Sequence, residues 1–409
     1  MTDAPSRGKG KGDGVADERR GFPGGDFFGY QGLLSADEAA TLGRVRAFLD
    51  SSVVPIADEC WARAAFPHEL IEGFAGLDIA GLYQPHAPGP TARRLLTGFL
   101  SLEIARADPS INSFFGVHSG LAMGSIDVGG DDRQRERWLP AMSRLEKVGA
   151  FGLTEPHGGS DVAGGLETTA RRDGDEWVLD GAKRWIGNGT FADLVVIWAR
   201  VADSKTIHGF VVERGTPGFE TTKMEGKLAL RIVQSAEITL TGCRVPEENR
   251  LQNVDSFAGI GEVLARTRSG AAWAAVGCMM AAYELALDYA GEREQFGRPI
   301  ASFQLMQDLL VRMLGNVTAS LGMAVRVAQL QDEGERSDAH SALAKGYCST
   351  RMREVVGWAR EVFGGNGILL DRHVGRYFND AEALYSYEGT REINALIVGR
   401  SITGYSAFV

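Results

Sequence analysis

Glu388 lies in a short segment near the C-terminus whose residue types suit proton transfer. It follows Tyr385–Tyr387 and directly precedes Gly389-Thr390. The pattern around it predicts a turn between two C-terminal helices, from which a fixed backbone would extend the carboxylate into a buried pocket. Burial raises the pKa of a carboxylate because the charged form loses solvation. Taken alone, the segment fits either an exposed loop glutamate or a general base that removes a proton from carbon.

A glycine-rich segment in the middle of the chain offers backbone and hydroxyl groups that could line a bound cofactor such as a flavin. A flavin needs hydrogen-bonding groups at its ring edge, backbone near its pyrophosphate and apolar walls. Residues 151–154 (Phe-Gly-Leu-Thr) offer backbone and the Thr154 hydroxyl, and Gly158-Gly159-Ser160 lets backbone approach a phosphate. Taken alone, the same residues fit a loop of a β domain, and Trp185-Ile186 fits a strand core. No GxGxxG and no P-loop occur, which argues against a nicotinamide Rossmann site or an NTPase.

Composition and charge narrow the class of protein further. The 409 residues include 43 Lys+Arg and 53 Asp+Glu, a formal charge of −10 that argues against a nucleic-acid-coating surface. Four separated cysteines and seven scattered histidines show no metal-ligand spacing, so no metal site is predicted. No run approaches about 18 uninterrupted apolar residues, so no membrane span is predicted. We expect a cytoplasmic protein.

The periodicity of apolar residues divides the chain into segments. Residues 1–28 are predicted to be a disordered tail, 29–148 a helical domain, 149–256 a β domain and 257–409 a helical bundle. Ser35-Ala-Asp-Glu38 predicts a capping box that opens a helix through Phe48. Asp180-Gly181 predicts a hairpin turn between two strands. A buried stripe is predicted in the bundle from apolar residues every four positions: Leu305, Leu309, Met313, Val317, Leu321 and Val325.

Four sequence blocks in this order resemble the acyl-CoA dehydrogenase family of flavoenzymes. They are Phe151–Asp161, Arg293–Gly297, Phe363–Gly367 and Tyr387–Thr390. The resemblance extends over about residues 30–409. It implies an α+β multidomain fold: an N-terminal helical domain, a middle β-barrel-like domain and a C-terminal four-helix bundle. It also implies FAD as cofactor, an acyl-CoA substrate and a homotetramer built as a dimer of dimers.

The resemblance assigns roles to particular residues. Glu388 matches the catalytic base, which removes the α-proton while the β-hydrogen leaves as hydride, giving trans-2-enoyl-CoA. Some branches place the base before a family arginine, which here is Arg268, but the preceding Thr267 cannot serve. The residues matching FAD contacts within one subunit are Phe151, Leu153, Thr154, Gly159, Ser160, Trp185, Ile186, Gly187, Thr390 and Glu392. Those matching contacts to the neighbouring subunit's FAD are Arg293, Phe296, Gln304, Glu361, Gly364 and Gly365. Those matching substrate contacts are Ser160, Arg268, Asn112, Tyr387 and Gly389.

The branch within the family is predicted from a few positions. The C-terminal run resembles the glutaryl-CoA dehydrogenases, but the positions of their arginine and glutamate near the distal carboxylate hold Asn112 and Ala105. A buried dicarboxylate would then be unpaired, which costs several kcal/mol. We therefore expect a short-chain monocarboxylic substrate and transfer of electrons to an electron-transferring flavoprotein. Gly187 stands where most dehydrogenases have a threonine, and Arg184–Asn188 resembles short-chain acyl-CoA oxidases. The alternatives are an oxidase that forms peroxide, a dehydrogenase of carrier-bound acyl groups and a non-catalytic nucleic-acid-binding relative.

Overall fold

Helices fill the first part of the chain in the computed structural model, which describes residues 24–204, 206–335 and 337–408. The predicted capping box is confirmed: Ser35 N donates to Glu38 Oε2 (2.8 Å) and Glu38 N donates to Ser35 Oγ (3.3 Å). It opens the first helix, α1. The helices of this region are α1 Ala36–Phe48, α2 Val54–Arg63, α3 Leu70–Leu77, α4 Arg94–Ala107, α5 Pro109–Gly116, α6 Met123–Gly129 and α7 Asp132–Ser143.

The start of the described chain is packed against the rest of the protein. Most of the predicted tail, residues 1–23, lies outside the described residues. Gly25 N donates to Glu284 Oε1 (3.1 Å). Asp26 is buried and accepts hydrogen bonds from Tyr30 N and Gln31 N, both 2.8 Å. Residues 24–28 are thus held by specific polar contacts.

A twisted sheet forms the middle of the chain. Its strands are β1 Gly149–Gly152, β2 Thr169–Asp173, β3 Glu176–Ile186, β4 Leu194–Val201, β5 Ile207–Glu213, β6 Phe219–Lys223 and β7 Ala236–Pro246. They pair in the order β1-β4-β2-β3-β7-β6, and β5 pairs with β4. One face packs on α6 and α7 through residues such as Trp198 and Leu139, while the other encloses a separate apolar core around Phe210.

The hairpin predicted at Asp180-Gly181 is wrong. Both residues lie inside β3, an eleven-residue strand that pairs with β7 and shifts register between Leu179 and Gly181. Gly181 has φ 146°, and a Cβ there would lie 2.7 Å from Thr168 Oγ1. The glycine is therefore required for a bulge and for close packing inside a strand, although the Asp-Gly dipeptide is typical of a hairpin turn.

Long helices form the C-terminal part. They are α8 Phe257–Glu292, α9 Gln304–Asp332, α10 Asp338–Val362, α11 Val374–Ser386 and α12 Arg391–Thr403, with a small hairpin of β8 Glu294–Gln295 and β9 Arg298–Pro299 after α8. Helix α8 is apolar and long enough to cross a membrane, but 78% of its most apolar window is buried inside the protein, as in a core helix. Met313, Val317, Leu321 and Val325 of the predicted stripe are buried, whereas Leu305, in the first turn of α9, is 79% exposed.

Asp380 on α11 links all three parts of the chain. Its buried carboxylate accepts hydrogen bonds from Trp61 Nε1 (2.8 Å) on α2 and from Leu230 N (2.7 Å) between β6 and β7. Arg376, one turn earlier on α11, pairs with the buried Asp108 at the start of α5. Buried charges are tolerated when they are paired and hydrogen-bonded in this way. The network fixes α11, and hence the turn that follows it, against the other two domains.

Candidate active site

Glu388 lies in a tight turn between α11 and α12, as predicted. Its backbone is left-handed, with φ 57°, and Gly389 follows with φ 82°. Thr390 then caps α12, because its hydroxyl accepts a hydrogen bond from Ile393 N (3.2 Å). A left-handed residue with a Cβ is energetically unfavourable and is often found at functional sites. The turn directs the Glu388 side chain towards α8.

The Glu388 carboxylate accepts a hydrogen bond from one hydroxyl and is influenced electrostatically by two cations. Thr267 Oγ1 on α8 donates to Glu388 Oε2 (3.2 Å). Burial raises the pKa of Glu388, and the charges of Arg268 and Lys345 together with the Thr267 hydrogen bond act in the opposite direction. A carboxylate with a raised pKa, held near cations that keep it ionisable, has the properties required of a general base. Thr267, which cannot itself serve as a base, instead orients the Glu388 carboxylate.

Three of the predicted substrate residues, Arg268, Tyr387 and Asn112, make specific contacts with neighbouring helices. Arg268 is buried, forms an ion pair with Asp338, and its Nε has no hydrogen-bond partner among the described residues. Tyr387 is hydrogen-bonded to Ser113, and burial raises the pKa of its hydroxyl, which stays protonated. Asn112 precedes Ser113 on α5 and accepts a hydrogen bond from Ser101 Oγ (3.2 Å). The Tyr387–Ser113 contact joins the Glu388 turn to α5, and the Thr267 hydrogen bond joins it to α8.

Two of the predicted flavin segments are joined by a backbone hydrogen bond. Arg184 N donates to Thr154 O (2.8 Å), which places residues 151–154 beside 184–187. A Cβ at Gly159 would lie 4.0 Å from Thr154 Cγ2, so the glycine-rich loop folds back onto the same place. Trp185 has a left-handed backbone (φ 64°) and its ring is 58% exposed. The Thr154 and Ser160 hydroxyls have no hydrogen-bond partner within the described parts of the chain, and so remain available to a ligand.

The remaining predicted residues of these segments are mostly internal. Leu153 and Ile186 are buried, and Phe151 is half-buried with its ring edge against Trp198 (centroids 6.3 Å apart). Glu392 is exposed in the first turn of α12, where it pairs with Arg391 (2.8 Å). Leu153 contributes its carbonyl to the ion-pair site described next.

A buried ion pair holds the first flavin segment against β3. Lys183 Nζ donates to Glu155 Oε1 (2.7 Å) and to Leu153 O (3.1 Å). Glu155 also accepts hydrogen bonds from Glu167 N (2.6 Å) and Thr168 N (2.9 Å). Burial lowers the pKa of Lys183 to about 8, and the nearby carboxylate opposes that effect. Both charges are compensated, so this pair can fix the loop on which the predicted cofactor residues lie.

A single turn of π-helix, Val117–Ala122, lies between Gly187 of the predicted flavin segment and Thr267, the hydrogen-bond partner of Glu388. A Cβ at Gly187 would come within 3.1 Å of Val117 Cγ2, so the valine fills much of the space beside this glycine. On the same turn, a Cβ at Gly120 would lie 3.2 Å from Thr267 Cγ2. π-Helical turns are frequent at functional sites. This turn contacts both halves of the site.

The residues predicted to reach a neighbouring subunit form a separate surface group. Arg293, Gln304, Glu361, Gly364 and Gly365 are exposed, and Phe296 is 95% exposed. The ends of α8 and α10 meet beneath them, where Tyr289 stacks on Phe363 (centroids 4.2 Å apart) and accepts a hydrogen bond from Asn366 Nδ2 (2.9 Å). Across the described residues, no hydrogen bond or ring contact joins this group to Glu388.

Several residues that build the site carry weak sequence signals. Lys345, Asn394 and Asn188 are buried and hydrogen-bond backbone carbonyls. Asn188 Nδ2 donates to Phe114 O (3.1 Å) and Gly149 O (3.3 Å), and so joins α5 to β1 behind Gly187. A lone lysine on the apolar face of a predicted helix, as at Lys345, is the one signal that indicates such a role.

The chain belongs to the acyl-CoA dehydrogenase family. Residues 35–146 match the N-terminal domain of acyl-CoA dehydrogenases, 150–243 the middle domain and 257–403 the C-terminal domain. An acyl-CoA dehydrogenase of Bacillus subtilis is 33% identical over 365 residues, 88% of this chain and 96% of that protein. The mitochondrial short-chain specific acyl-CoA dehydrogenase of Mus musculus is 32% identical over 358 residues, 86% of this chain and 87% of that protein.

Solved structures show the same architecture. A glutaryl-CoA dehydrogenase from Mycobacterium smegmatis superposes with TM-score 0.89 at 35% identity, covering 95% of this chain and all of that chain. A second glutaryl-CoA dehydrogenase structure from that organism, in complex with FADH2, has TM-score 0.89 at 32% identity and covers 93% and 98%. A chain in a structure of the electron transferring flavoprotein of Acidaminococcus fermentans has TM-score 0.87 at 29% identity and covers 90% and 98%. The protein is an FAD-dependent oxidoreductase of this fold, as the sequence predicted.

Loss of the Lys183 charge should weaken the cofactor segment. Lys183→Met leaves the buried Glu155 carboxylate unpaired, so we expect the free energy of unfolding to fall by about 3–5 kcal/mol. FAD should also be lost more readily. Thermal unfolding and the FAD-to-protein absorbance ratio after gel filtration measure both effects. Adding Glu155→Gln should recover much of the loss, since it removes the unpaired charge. A Lys183→Met protein that matched wild type in both measurements would contradict this role.

Proposed function

We propose that the protein oxidises a short-chain acyl-CoA thioester to the trans-2-enoyl-CoA, with Glu388 as the catalytic base. The observation that carries this proposal is the Glu388 carboxylate, held in a left-handed turn, with a raised pKa and a hydrogen bond from Thr267. Glu388 takes the α-proton, the β-hydrogen departs with its electron pair, and a carbon–carbon double bond forms. FAD, when bound, supplies the hydride acceptor. Thr154, Ser160 and the exposed Trp185 are the residues that would hold its ring and phosphates.

The chain's own residues also support binding of the thioester. Arg268 is buried near Glu388, and its Nε has no hydrogen-bond partner in the part of the chain that the structure describes. We propose that the backbone amide of Glu388 donates to the thioester oxygen. Donors aimed at an oxygen that gains negative charge stabilise an enolate-like transition state. Substrate and base would thus be fixed by one turn and one helix, the Glu388 turn and α8.

Replacing the base tests the assignment. Glu388→Gln keeps the shape of the side chain but cannot accept a proton, so bleaching of the flavin by acyl-CoA should slow by at least about 10²–10⁴-fold while FAD stays bound. Anaerobic stopped-flow absorbance measures the rate. Glu382→Gln, an exposed glutamate on the preceding helix, is the matched control and should behave as wild type. Near-normal bleaching by Glu388→Gln would show that the base is elsewhere.

The substrate is proposed to be a monocarboxylic acyl group. Ala105 is fully buried, and a Cβ at Gly277 would lie 3.0 Å from its Cβ, so this position is closely packed and uncharged. Asn112 is also neutral and is engaged with Ser101. A distal carboxylate would therefore lose solvation without gaining an ion pair at these positions. The similarity to the mouse short-chain enzyme supports the same substrate class.

The electron acceptor is proposed to be an electron-transferring flavoprotein, and dioxygen is the second candidate. Gly187 lacks the side chain that most dehydrogenases place there, which favours access of oxygen. Val117, however, fills much of the space beside that glycine. The similarity to a chain in an electron transferring flavoprotein structure supports the carrier.

The substrate is tested by titrating the oxidised enzyme with acyl-CoAs. The acceptor is tested by exposing the reduced enzyme to air or to the carrier flavoprotein. Butyryl- or isobutyryl-CoA should bleach the flavin faster than glutaryl-CoA, and glutaryl-CoA should release no CO₂. On admission of air, reoxidation should be measurable but slower than transfer to the carrier flavoprotein. Rapid turnover of glutaryl-CoA with release of CO₂ would contradict the substrate assignment. Stoichiometric peroxide at full turnover, with no stimulation by the carrier, would favour the oxidase.

Assembly into a homotetramer is proposed to complete the cofactor site. The surface group around Arg293 is accompanied by exposed apolar side chains: Phe296, Leu305 and Ile368. Large exposed apolar side chains in one region indicate a protein interface. We propose that Arg293 and Gln304 contact FAD bound to the adjacent subunit.

Arg293→Ala should therefore reduce FAD retention without unfolding the subunit. Gel filtration with light scattering gives the mass, and absorbance gives the FAD content. Arg171→Ala, an exposed arginine on β2, is the control and should retain FAD. A wild-type monomer that retained stoichiometric FAD would rule out the shared site.

A further inference from the structure

Lys345 is a buried lysine that contacts both ends of the catalytic turn. It lies on α10 and its side chain is completely inaccessible to solvent. Its Nζ donates to Tyr385 O (2.7 Å) and to Gly389 O (2.8 Å). The first carbonyl belongs to the last turn of α11 and the second follows Glu388 directly. Lys345 thus joins the two sides of the segment from which the Glu388 side chain extends.

The turn needs such a support because of its backbone conformation. Glu388 has φ 57°, a region that residues with a Cβ rarely adopt unless neighbouring contacts impose it. Asn394 Nδ2 provides a second support by donating to Gly389 O and Thr390 O, both at 2.9 Å. Lys345 and Asn394 therefore meet at the same carbonyl. A charged donor makes a stronger hydrogen bond to a carbonyl than a neutral one does.

The charge of Lys345 also acts on the base. The charged or titratable groups that face the Glu388 turn are Arg268 from α8, Lys345 from α10, Glu392 from α12 and Tyr387 beside the base. Burial raises the pKa of Glu388, while Arg268 and Lys345 lower it. Burial lowers the pKa of Lys345 to about 8, and Glu388 opposes that effect. Lys345 is therefore charged at neutral pH, and the carboxylate lies within its field.

We propose that Lys345 is a positioning residue for proton abstraction: its ammonium group fixes the Tyr385–Gly389 turn and keeps the Glu388 carboxylate ionised at neutral pH. This inference rests on the proposed role of Glu388 as the base. Lys345 itself contacts no reacting atom, and its effect passes through the backbone of the turn and through electrostatics. It predicts changes in both the rate and the pH dependence of flavin reduction.

Lys345→Met tests the proposal, because it keeps the length and apolar body of the side chain and removes the charge. Bleaching of the flavin by butyryl-CoA at pH 7 should slow by about 10- to 100-fold, as expected when a catalytic group is misplaced by a fraction of an ångström to an ångström. As the pH is lowered, the rate should also begin to fall at a higher pH than it does in wild type. Without the cation the pKa of Glu388 rises, so the acid limb of the rate profile should move up by about 0.5–1 pH unit.

Two further variants separate positioning from general stability. Lys227→Met is the matched control: Lys227 Nζ also donates to two carbonyls, Leu230 O (2.8 Å) and Val233 O (2.6 Å), and burial lowers its pKa to about 8, but it lies between β6 and β7. It should leave the acid limb unchanged. Lys345→Arg keeps the charge and should keep the acid limb near its wild-type position even if the rate falls.

The outcomes are distinguishable from failure of the base assignment. If Glu388→Gln bleaches normally, the proposed function is wrong. If Glu388→Gln is inactive but Lys345→Met has a wild-type rate and acid limb, only the role of Lys345 is overturned. The same conclusion follows if Lys345→Met and Lys345→Arg both fail to fold with FAD, or if Lys227→Met shifts the acid limb equally. Each of these results would show a structural role without a specific effect on the base.

Discussion

The structure depends on one constraint: a carboxylate must be held at the junction of two helices in a backbone conformation that it would not adopt alone. Glu388 is left-handed, and the following Gly389 supplies the second left-handed residue. Thr390 begins α12 at once through its cap, so the turn cannot lengthen. Lys345 occupies the space beneath the turn and contacts its carbonyls. The cost of this geometry is offset by contacts from three helices, which also set the pKa of the carboxylate.

The loop expected to bind the cofactor is also held in one conformation by buried polar contacts, here an ion pair and a backbone hydrogen bond. The loop after β1 carries the residues expected to meet FAD, and it has little regular structure of its own. The Lys183–Glu155 pair and the Arg184–Thr154 hydrogen bond attach it to β3. A buried ion pair with further hydrogen bonds holds a loop in one geometry, whereas apolar contacts alone permit several packings. The π-helical turn at Val117–Ala122 then brings the flavin segments and the base to a common position.

Local sequence patterns predicted the first helix cap and the turn at Glu388, whereas features that depend on long-range contacts were mostly missed. The capping box at Ser35 and the turn at Glu388 depend on neighbouring residues, so their patterns were sufficient. The dipeptide Asp180-Gly181 predicts a hairpin that does not form, because the need for glycine arises from Thr168, a residue thirteen positions away that packs against it. Lys345 gave only a weak signal, because its carbonyl partners lie 40 and 44 positions away in the sequence. Asn394 gave none, although its carbonyl partners lie only five and four positions away. Leu305 followed the apolar period but lies outside the bundle, where an interface between subunits is proposed.

The proposed function depends on removal of a proton by Glu388 from the carbon next to the thioester. Its most direct test is the anaerobic rate of flavin bleaching by butyryl-CoA carrying deuterium at that carbon, measured as a function of pH. We expect a primary isotope effect, and a rate that falls as the pH drops through the raised pKa of Glu388. A rate that is insensitive both to deuterium at that carbon and to pH across this range would contradict proton abstraction by this residue.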